Sequence, residues 1–402
     1  MSEGVIRTPF LVTARGALPK RGPELGRPAE IKDAVIAWRD GRIDYVGPAD
    51  EFEGPEPENL EGTIVPGFVD CHTHLPFFGW RSDEFEARLE GKTYRDLHEE
   101  GGISRSARML SEASDDEVVA FCLPLLEEML GLGTTAIELK TGYGLSVDAE
   151  LRQARLARQI AAEVDQTCKV TLLACHAVPQ GETRESWVAK ACSELIPAAS
   201  EQGLVDAVDI YVEDIAFDID DLKMVAEAAA DHGLPLRAHV EQLSNLHGAE
   251  RAAEIGAKSV DHLNHVDNAA VNAIGSSSTT AVLLPASTFM LGSSAPPARA
   301  LIDSDAAIAI ATDFNPGTSP VLSMPEVIAL ACGLYGLSPA EALVAATANS
   351  ASVLDLDDEL GTLEPGKRAD FIALEGKVQD VPYRPGHDPV VRTYFGGRMV
   401  RV

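Results

Sequence analysis

Nowhere in these 402 residues do about eighteen apolar residues follow one another, so the sequence predicts no membrane-spanning helix. The opening MSEGVIRTPFLVTARG lacks the charged start, apolar middle and small-residue cleavage site of an export signal, and the expected compartment is the cytoplasm. Cysteine is sparse. Cys71, Cys122, Cys168, Cys175, Cys192 and Cys332 include no CxxC pair, which predicts reduced, mostly buried thiols and argues against a zinc–thiolate site. Lysine is scarce too, supplying ten of 33 basic residues against 63 acidic ones, for a net charge of −30. Such a field repels nucleic acid and anionic membrane, which leaves a small molecule as the expected partner. Acidic excess with little lysine suits a surface adapted to high salt, where charges are screened over about 3 Å at 1 M, although an ordinary acidic cytosolic protein has a similar composition.

An apolar content of 45% with 24% charged residues fits a globular enzyme able to bury a large core. Short apolar stretches at Phe10 to Thr13, Ala34 to Trp38 and Ile43 to Val46, separated by Gly, Pro and charge, predict strands and turns over residues 1–64. GTLEPGKRADFIAL and VVRTYFGGRMVRV repeat that rhythm in 356–402, so both termini are expected to build one small β-sandwich domain. Between them, over 65–355, eight β-rich runs alternate with helical stretches: Ile64 to Cys71, Thr134 to Lys140, Val170 to Cys175, Ala207 to Val212, Pro235 to Ala238, Ser259 to Leu263, Thr280 to Leu284 and Ala307 to Thr312. Helices are expected from Ser146 to Ile160, from about Asp218 to Ala230, and from Ser338 to Leu354. The fold class is α/β, a (β/α)8 TIM-type barrel, and its functional side chains belong at the C-terminal ends of the strands.

The first run ends in DCHTH, and in an extended segment the two-residue spacing turns His72 and His74 to the same side. An HxH pair alone carries little weight. More telling is that His176, His239, His262 and Asp313 also fall at predicted strand ends, in a chain with ten histidines. A buried carboxylate after AIAIAT needs a cation or another partner. His72, His74, His239 and Asp313 are therefore the expected ligands of one ion, with an open position for a water whose pKa the ion lowers toward about 7. Zinc, iron and manganese all suit such a set, and one Zn2+ or Fe3+ ion per subunit is expected.

PGFVDCHTH, AHVEQ, ATDFNPG and GTLEPGKRADFIAL together resemble the amidohydrolase superfamily over nearly the whole chain. Within it, HTHLPFFGWRSDEFEARLEGKTY, ELKTGYGL, LLACHAVP, HVEQLSN, SVDHL, LLPAS and TDFNPGTSP are similar to the imidazolonepropionase family. The resemblance implies a homodimer that opens the lactam ring of 4-imidazolone-5-propanoate in histidine breakdown, giving N-formimino-L-glutamate. It puts metal ligands on His72, His74, His239 and Asp313, and substrate contacts on Arg81, Tyr94, Tyr143, His176, Gln242, Asn315, Gly317 and Thr318. His262 falls just outside the ligand set. The catalytic groups it implies are Asp313, His262, His176 and Gln242, with His176 and His262 as donors to the lactam oxygen.

Other readings stay open at this level. The lesser alternatives are that Arg81 is a surface arginine beside Asp83 and Glu84, Tyr143 a turn aromatic, and His176 and His262 core histidines. The run IYVED offers no lysine to bridge a second ion, Glu213 is the alternative bridge, and Lys140 follows the wrong strand for that role. The pattern departs from the family at PFFGW, EEGGIS and LLPASTFMLGSS, which border the expected pocket. A deaminase or another cyclic-amide hydrolase is the alternative enzyme, and a non-catalytic barrel the alternative of another class.

Overall fold

The strand-and-turn ends and the alternating middle separate into two sheets in the computed structural model, which describes residues 3–93, 95–97 and 101–401. The first sheet joins the termini. Its strands are β1 (Glu3–Val12), β2 (Glu30–Arg39), β3 (Arg42–Pro48), β4 (Glu58–Asn59) and β5 (Thr63–Pro66), with β14 (Phe371–Leu374), β15 (Val390–Phe395) and β16 (Arg398–Arg401) from the far end. They run in the order β16-β15-β14-β5-β1-β2-β3, with β4 beside β1. The ends meet in the antiparallel ladder of β5 and β14, where Ile64 lies opposite Ala373. This sheet has its own core of Ile6, Leu11, Ile36, Trp38, Phe371 and Tyr394. Phe371 and Tyr394 stack 4.3 Å apart with Trp38 edge-on to both, the offset and edge geometries that aromatic quadrupoles favour.

The second sheet is the barrel, with β6 (Phe68–Asp70), β7 (Thr134–Lys140), β8 (Thr167–Cys175), β9 (Ala207–Val212), β10 (Leu236–Val240), β11 (Ser259–His262), β12 (Thr280–Leu283) and β13 (Ala307–Ile310) paired in chain order. β7 and β9 to β13 are buried throughout, because side chains fill the inside and helices cover the outside. The ring closes just beyond the ends of β6 and β13. There the Asp313 N–H donates to His72 O at 3.0 Å and the His74 N–H to Phe314 O at 2.9 Å. The closing seam therefore brings the HxH pair against Asp313 through the backbone itself.

Helix starts follow the expected caps: Ser146 accepts from the Ala149 N–H, and Asp218 forms a capping box with Asp221. Three expectations need correction. The run Ile64 to Cys71 is two strands, split at Gly67, where a Cβ would lie 2.3 Å from Thr135 Oγ1, so only glycine lets the chain pass from one sheet to the other. The fifth run extends to Val240, which puts His239 inside the strand rather than after it. The stretch after Ser338 is two helices, Pro339–Ala345 and Ala348–Val353, because the chain leaves helical angles at Thr347, whose hydroxyl donates to Leu343 O at 2.7 Å.

No helix among the described residues is long and apolar enough to cross a membrane. All six cysteines are free thiols, with Cys71, Cys122 and Cys175 buried and the other three partly exposed. The acidic excess yields a first prediction. Raising NaCl from dilute buffer to about 1 M is expected to raise the melting temperature by several degrees as self-repulsion is screened, and a stability maximum in dilute buffer would contradict the high-salt reading.

Candidate metal centre and active site

The exits of β10, β11 and β13 turn through left-handed non-glycine residues: Glu241 (φ 51°), His262 (φ 81°), Leu263 (φ 65°) and Asp313 (φ 55°). Each costs on the order of 1 kcal/mol or more, and their clustering at strand ends marks a site where backbone strain is tolerated for placement. His262 and Asp313 are thereby brought beside the HxH pair. His72 Nε2 lies 3.5 Å and His74 Nε2 3.2 Å from Asp313 Oδ1, and His239 Nε2 lies 3.5 Å from His74 Nε2. His72 Nε2 and Asp313 Oδ1 are buried without a hydrogen bond. His72, His74 and Asp313 have ligand atoms within 4.8 Å of one another, as do His72, His239 and His262, and imidazole nitrogens so gathered around a carboxylate oxygen, two of these atoms otherwise unsatisfied, fit the ligand chemistry of a first-row transition ion.

The far sides of these rings are fixed as well. His72 Nδ1 lies 2.6 Å from Asp261 Oδ2, and His239 Nδ1 lies 3.1 Å from Asp209 Oδ1. Ionised carboxylates only accept, so the hydrogen sits on Nδ1 and each Nε2 keeps its lone pair. Burial, followed by the neighbouring charges of Lys140 and His239, holds His72 well below its ordinary pKa, and burial also lowers His74 and His176 and brings His262 to about 3.

These shifts set a pH dependence. The unfolded chain takes up protons below the ordinary histidine value of 6.5, whereas the folded chain refuses them. Stability is therefore full above about 6.5 and declines as the pH falls from there toward about 3. Urea unfolding at pH 8 and pH 5.5 is expected to give the lower midpoint at pH 5.5, and equal midpoints would count against four buried neutral imidazoles.

His74, Arg81, Tyr143, His176, His239, Gln242, His262, Asp313, Asn315 and Thr318 line one cavity. His72 is wholly buried beside them. Tyr94 lies outside the described residues. Arg81 is 4% exposed, and it donates from Nη1 to Gly102 O with its backbone N–H on Pro316 O at 3.0 Å. Burial makes it no surface arginine; Glu84 Oε2 lies 3.4 Å from its Nε, while Asp83 pairs with Arg105 at 2.6 Å. A Cβ on Gly317 would lie 1.6 Å from Arg81 Nη2. Gly317 thus makes room for the guanidinium. Gly317→Ala is expected to displace Arg81 and raise KM by about 10-fold or more with little change in melting temperature; an unchanged KM would contradict this.

Two buried helix residues hold the Tyr143 loop. Glu150 accepts from the N–H groups of Gly142, Gly144 and Leu145 at 2.7–2.9 Å, and Gln153 accepts from those of Gly142 and Tyr143 at 3.1 and 2.9 Å. His176 Nδ1 lies 2.9 Å from Gly142 O. A carbonyl only accepts, so the neutral ring carries its hydrogen on Nδ1 and leaves Nε2 as an acceptor. The expected donor role toward a lactam oxygen thus suits His262 rather than His176.

The chain does not coil after His239, and the next helix starts at Gly248. Instead Glu241 accepts from the Gly248 and Ala249 N–H groups at 2.6 and 2.8 Å, and Glu213 takes the Leu243 N–H at 2.8 Å and the Ser244 hydroxyl. Gln242 sits between these anchors, bonded through Oε1 to Tyr211 Oη at 2.8 Å. Both Glu213 oxygens are engaged in this loop. Asn315 likewise spends its amide on its own turn, accepting from Gly317 N–H and Thr318 N–H and donating to Asp313 O.

Sequence reasoning missed Ile103 and Tyr211, which also line the cavity. Of the segments that depart from the family pattern, EEGGIS does border the cavity, through Ile103. The PFFGW aromatics do not, since Phe77 and Trp80 pack on Phe121 and Phe314. LLPASTFMLGSS contributes no lining residue either.

The amidohydrolase family model matches residues 63–400. The chain is 42% identical to the imidazolonepropionase of Methylobacterium nodulans over 376 residues, covering 92% of this chain and 94% of that one. The imidazolonepropionases of Deinococcus radiodurans and Rubrobacter xylanophilus are also 42% identical, covering 94% and 97% of this chain and 95% and 96% of theirs. Among solved structures, a zinc-bound adenosine deaminase from Xanthomonas campestris aligns with a TM-score of 0.72 at 18% identity, covering 100% of this chain and 93% of its own. An atrazine chlorohydrolase variant from Arthrobacter aurescens aligns with a TM-score of 0.76 at 17% identity, covering 99% and 95%. At that identity the likeness is one of fold. From the matched model and these relatives together, the chain belongs to the amidohydrolase family.

Proposed function

We propose that this chain hydrolyses the lactam C–N bond of 4-imidazolone-5-propanoate to N-formimino-L-glutamate, a step of histidine degradation. The observation that carries the reading is a buried arginine in the same cavity as the His and Asp ligands, on a chain 42% identical to imidazolonepropionases over more than nine tenths of its length. His72, His74, His239 and Asp313 hold one ion, Zn2+ or Fe3+, per subunit. When bound there, the ion supplies Lewis acidity and lowers the pKa of a water toward about 7.

The remaining steps belong to the protein's own side chains. Arg81 takes the propanoate carboxylate through its planar fork, which gives an acidic protein the local cation an anionic substrate needs. His176 Nε2 accepts from a ring N–H, and the Gln242 amide bonds to the ring from the other side. As water adds to the lactam carbonyl carbon, His262 donates to the oxygen on which charge builds. Asp313 accepts the proton of the attacking water and returns it to the ring nitrogen, which keeps the electron pair of the breaking C–N bond. Tyr94, Tyr143, Asn315, Gly317 and Thr318 complete the substrate contacts, and the working form is a cytoplasmic homodimer.

The test follows the ultraviolet absorbance of freshly made imidazolone propanoate with the metal-loaded enzyme. Loss of absorbance without ammonia release is the expected result. No consumption at any salt concentration, or release of ammonia, would overturn the proposal.

A further inference from the structure

Five charged side chains lie inside the barrel, each at most 1% exposed: Glu138 and Lys140 on β7, Asp209 on β9, Arg237 on β10 and Asp261 on β11. Lys140 is their hub. Its ammonium lies 2.7 Å from Asp209 Oδ2, 2.8 Å from Glu138 Oε2 and 3.9 Å from Asp261 Oδ2. Lys140, Asp209 and Asp261 come from alternate strands, which is how a single layer of a barrel interior is built. Arg237 pairs with the other side of Glu138 and reaches Thr171 Oγ1 at 3.1 Å and Val353 O at 2.9 Å.

The two aspartates that Lys140 gathers are the ones behind the ligands. Asp209 gives Oδ2 to Lys140 and Oδ1 to His239 Nδ1, and Asp261 turns Oδ2 toward both Lys140 and His72 Nδ1. A single ammonium thus connects, through one carboxylate each, to histidines carried by two different strands. We propose that Lys140 is a positioning residue for the metal site, holding Asp209 and Asp261 in place so that His239 and His72 present their Nε2 atoms together.

Without the ammonium, Asp209 loses the cation it touches and Asp261 keeps only the charge of Arg237, and a buried carboxylate short of its partner turns away. That movement removes the acceptor at Nδ1 and frees the ring to carry its hydrogen on Nε2, where it cannot ligate. The inference rests on the reading above that these histidines hold an ion.

The test compares wild type, Lys140→Met and Lys140→Arg for Zn2+ affinity, measured by competition with a chromophoric chelator, and for the melting temperature of the metal-free protein. Lys140→Met is expected to bind zinc about 10- to 100-fold more weakly, with Lys140→Arg losing less because it keeps the charge. A merely structural role would lower the melting temperature and leave zinc affinity within about threefold of wild type, and that result overturns the proposal. If Lys140→Met does not fold, Asp261→Asn cuts the same path at its His72 end and is expected to weaken zinc binding by a similar factor. A wild type that binds no zinc or iron would defeat the ligand assignment itself, whereas equal binding by wild type and folded variants defeats only the role of Lys140.

Discussion

Asp313→Ala is expected to lower kcat/KM for imidazolone propanoate by about 10⁴-fold or more, the largest effect of any single substitution in the site. Two functions are lost in one side chain, a metal ligand and the group that moves the proton from water to the leaving nitrogen. Burial pushes the Asp313 pKa up, but His74, His262 and His239 around it outweigh that and hold it below the ordinary carboxylate value. A carboxylate so placed can both ligate and accept a proton. Asp313→Asn keeps the shape and one oxygen but not the basicity. It is expected to retain more metal than Asp313→Ala while remaining nearly as inactive. Rates measured together with metal content separate the two losses, and an Asp313→Ala protein within about 10-fold of wild type would remove Asp313 from the mechanism.

Arg81→Ala is expected to raise KM by about 10²- to 10³-fold with a smaller change in kcat, since truncating one member of a buried charge pair costs roughly 2–5 kcal/mol. The side chain is already positioned in the described structure. Gly102 O accepts from Nη1, Gly317 leaves space beside Nη2, and only 4% of the residue is exposed. Little ordering is left for the ligand to impose. The propanoate lies away from the breaking C–N bond, so its loss is felt mainly in binding. Steady-state kinetics across a wide substrate range would show this directly, and full activity at low substrate concentration would assign the carboxylate to another group.

Much of this was legible in the residues, for a physical reason. A parallel barrel strand is buried on both faces, so TTAIELK and AVDIYV stand out as compact apolar runs, and their bounds agree with Thr134–Lys140 and Ala207–Val212. The ligand candidates sit at strand ends because the fold gathers chemistry there. What escaped was interior polarity. Glu138 and Lys140 stand two residues apart on one run, the period that turns side chains inward together, but Asp209, Arg237 and Asp261 each stand alone on theirs, so strand by strand each looks like an isolated exception. Only the closed ring reveals that they neutralise one another.

Loop-borne roles were harder to see. Glu150 and Gln153 read as ordinary helix polar residues, since nothing local distinguishes a carboxylate facing water from one facing the backbone of TGYGL. Glu213 invited a reading as a metal bridge because it follows a barrel strand, whereas its oxygens hold Leu243 and Ser244. Tautomers were also beyond reach. Which nitrogen of His176 carries hydrogen depends on Gly142 O, a backbone atom contributed by another loop.

The central claim is that four side chains from the ends of three strands share one ion. Crystals of the metal-loaded enzyme, with diffraction measured above and below the metal's absorption edge, test it most directly. The account predicts one anomalous peak about 2.0–2.2 Å from the Nε2 atoms of His72, His74 and His239 and from Asp313 Oδ1. A peak elsewhere, or a second peak beside Glu213, would contradict it.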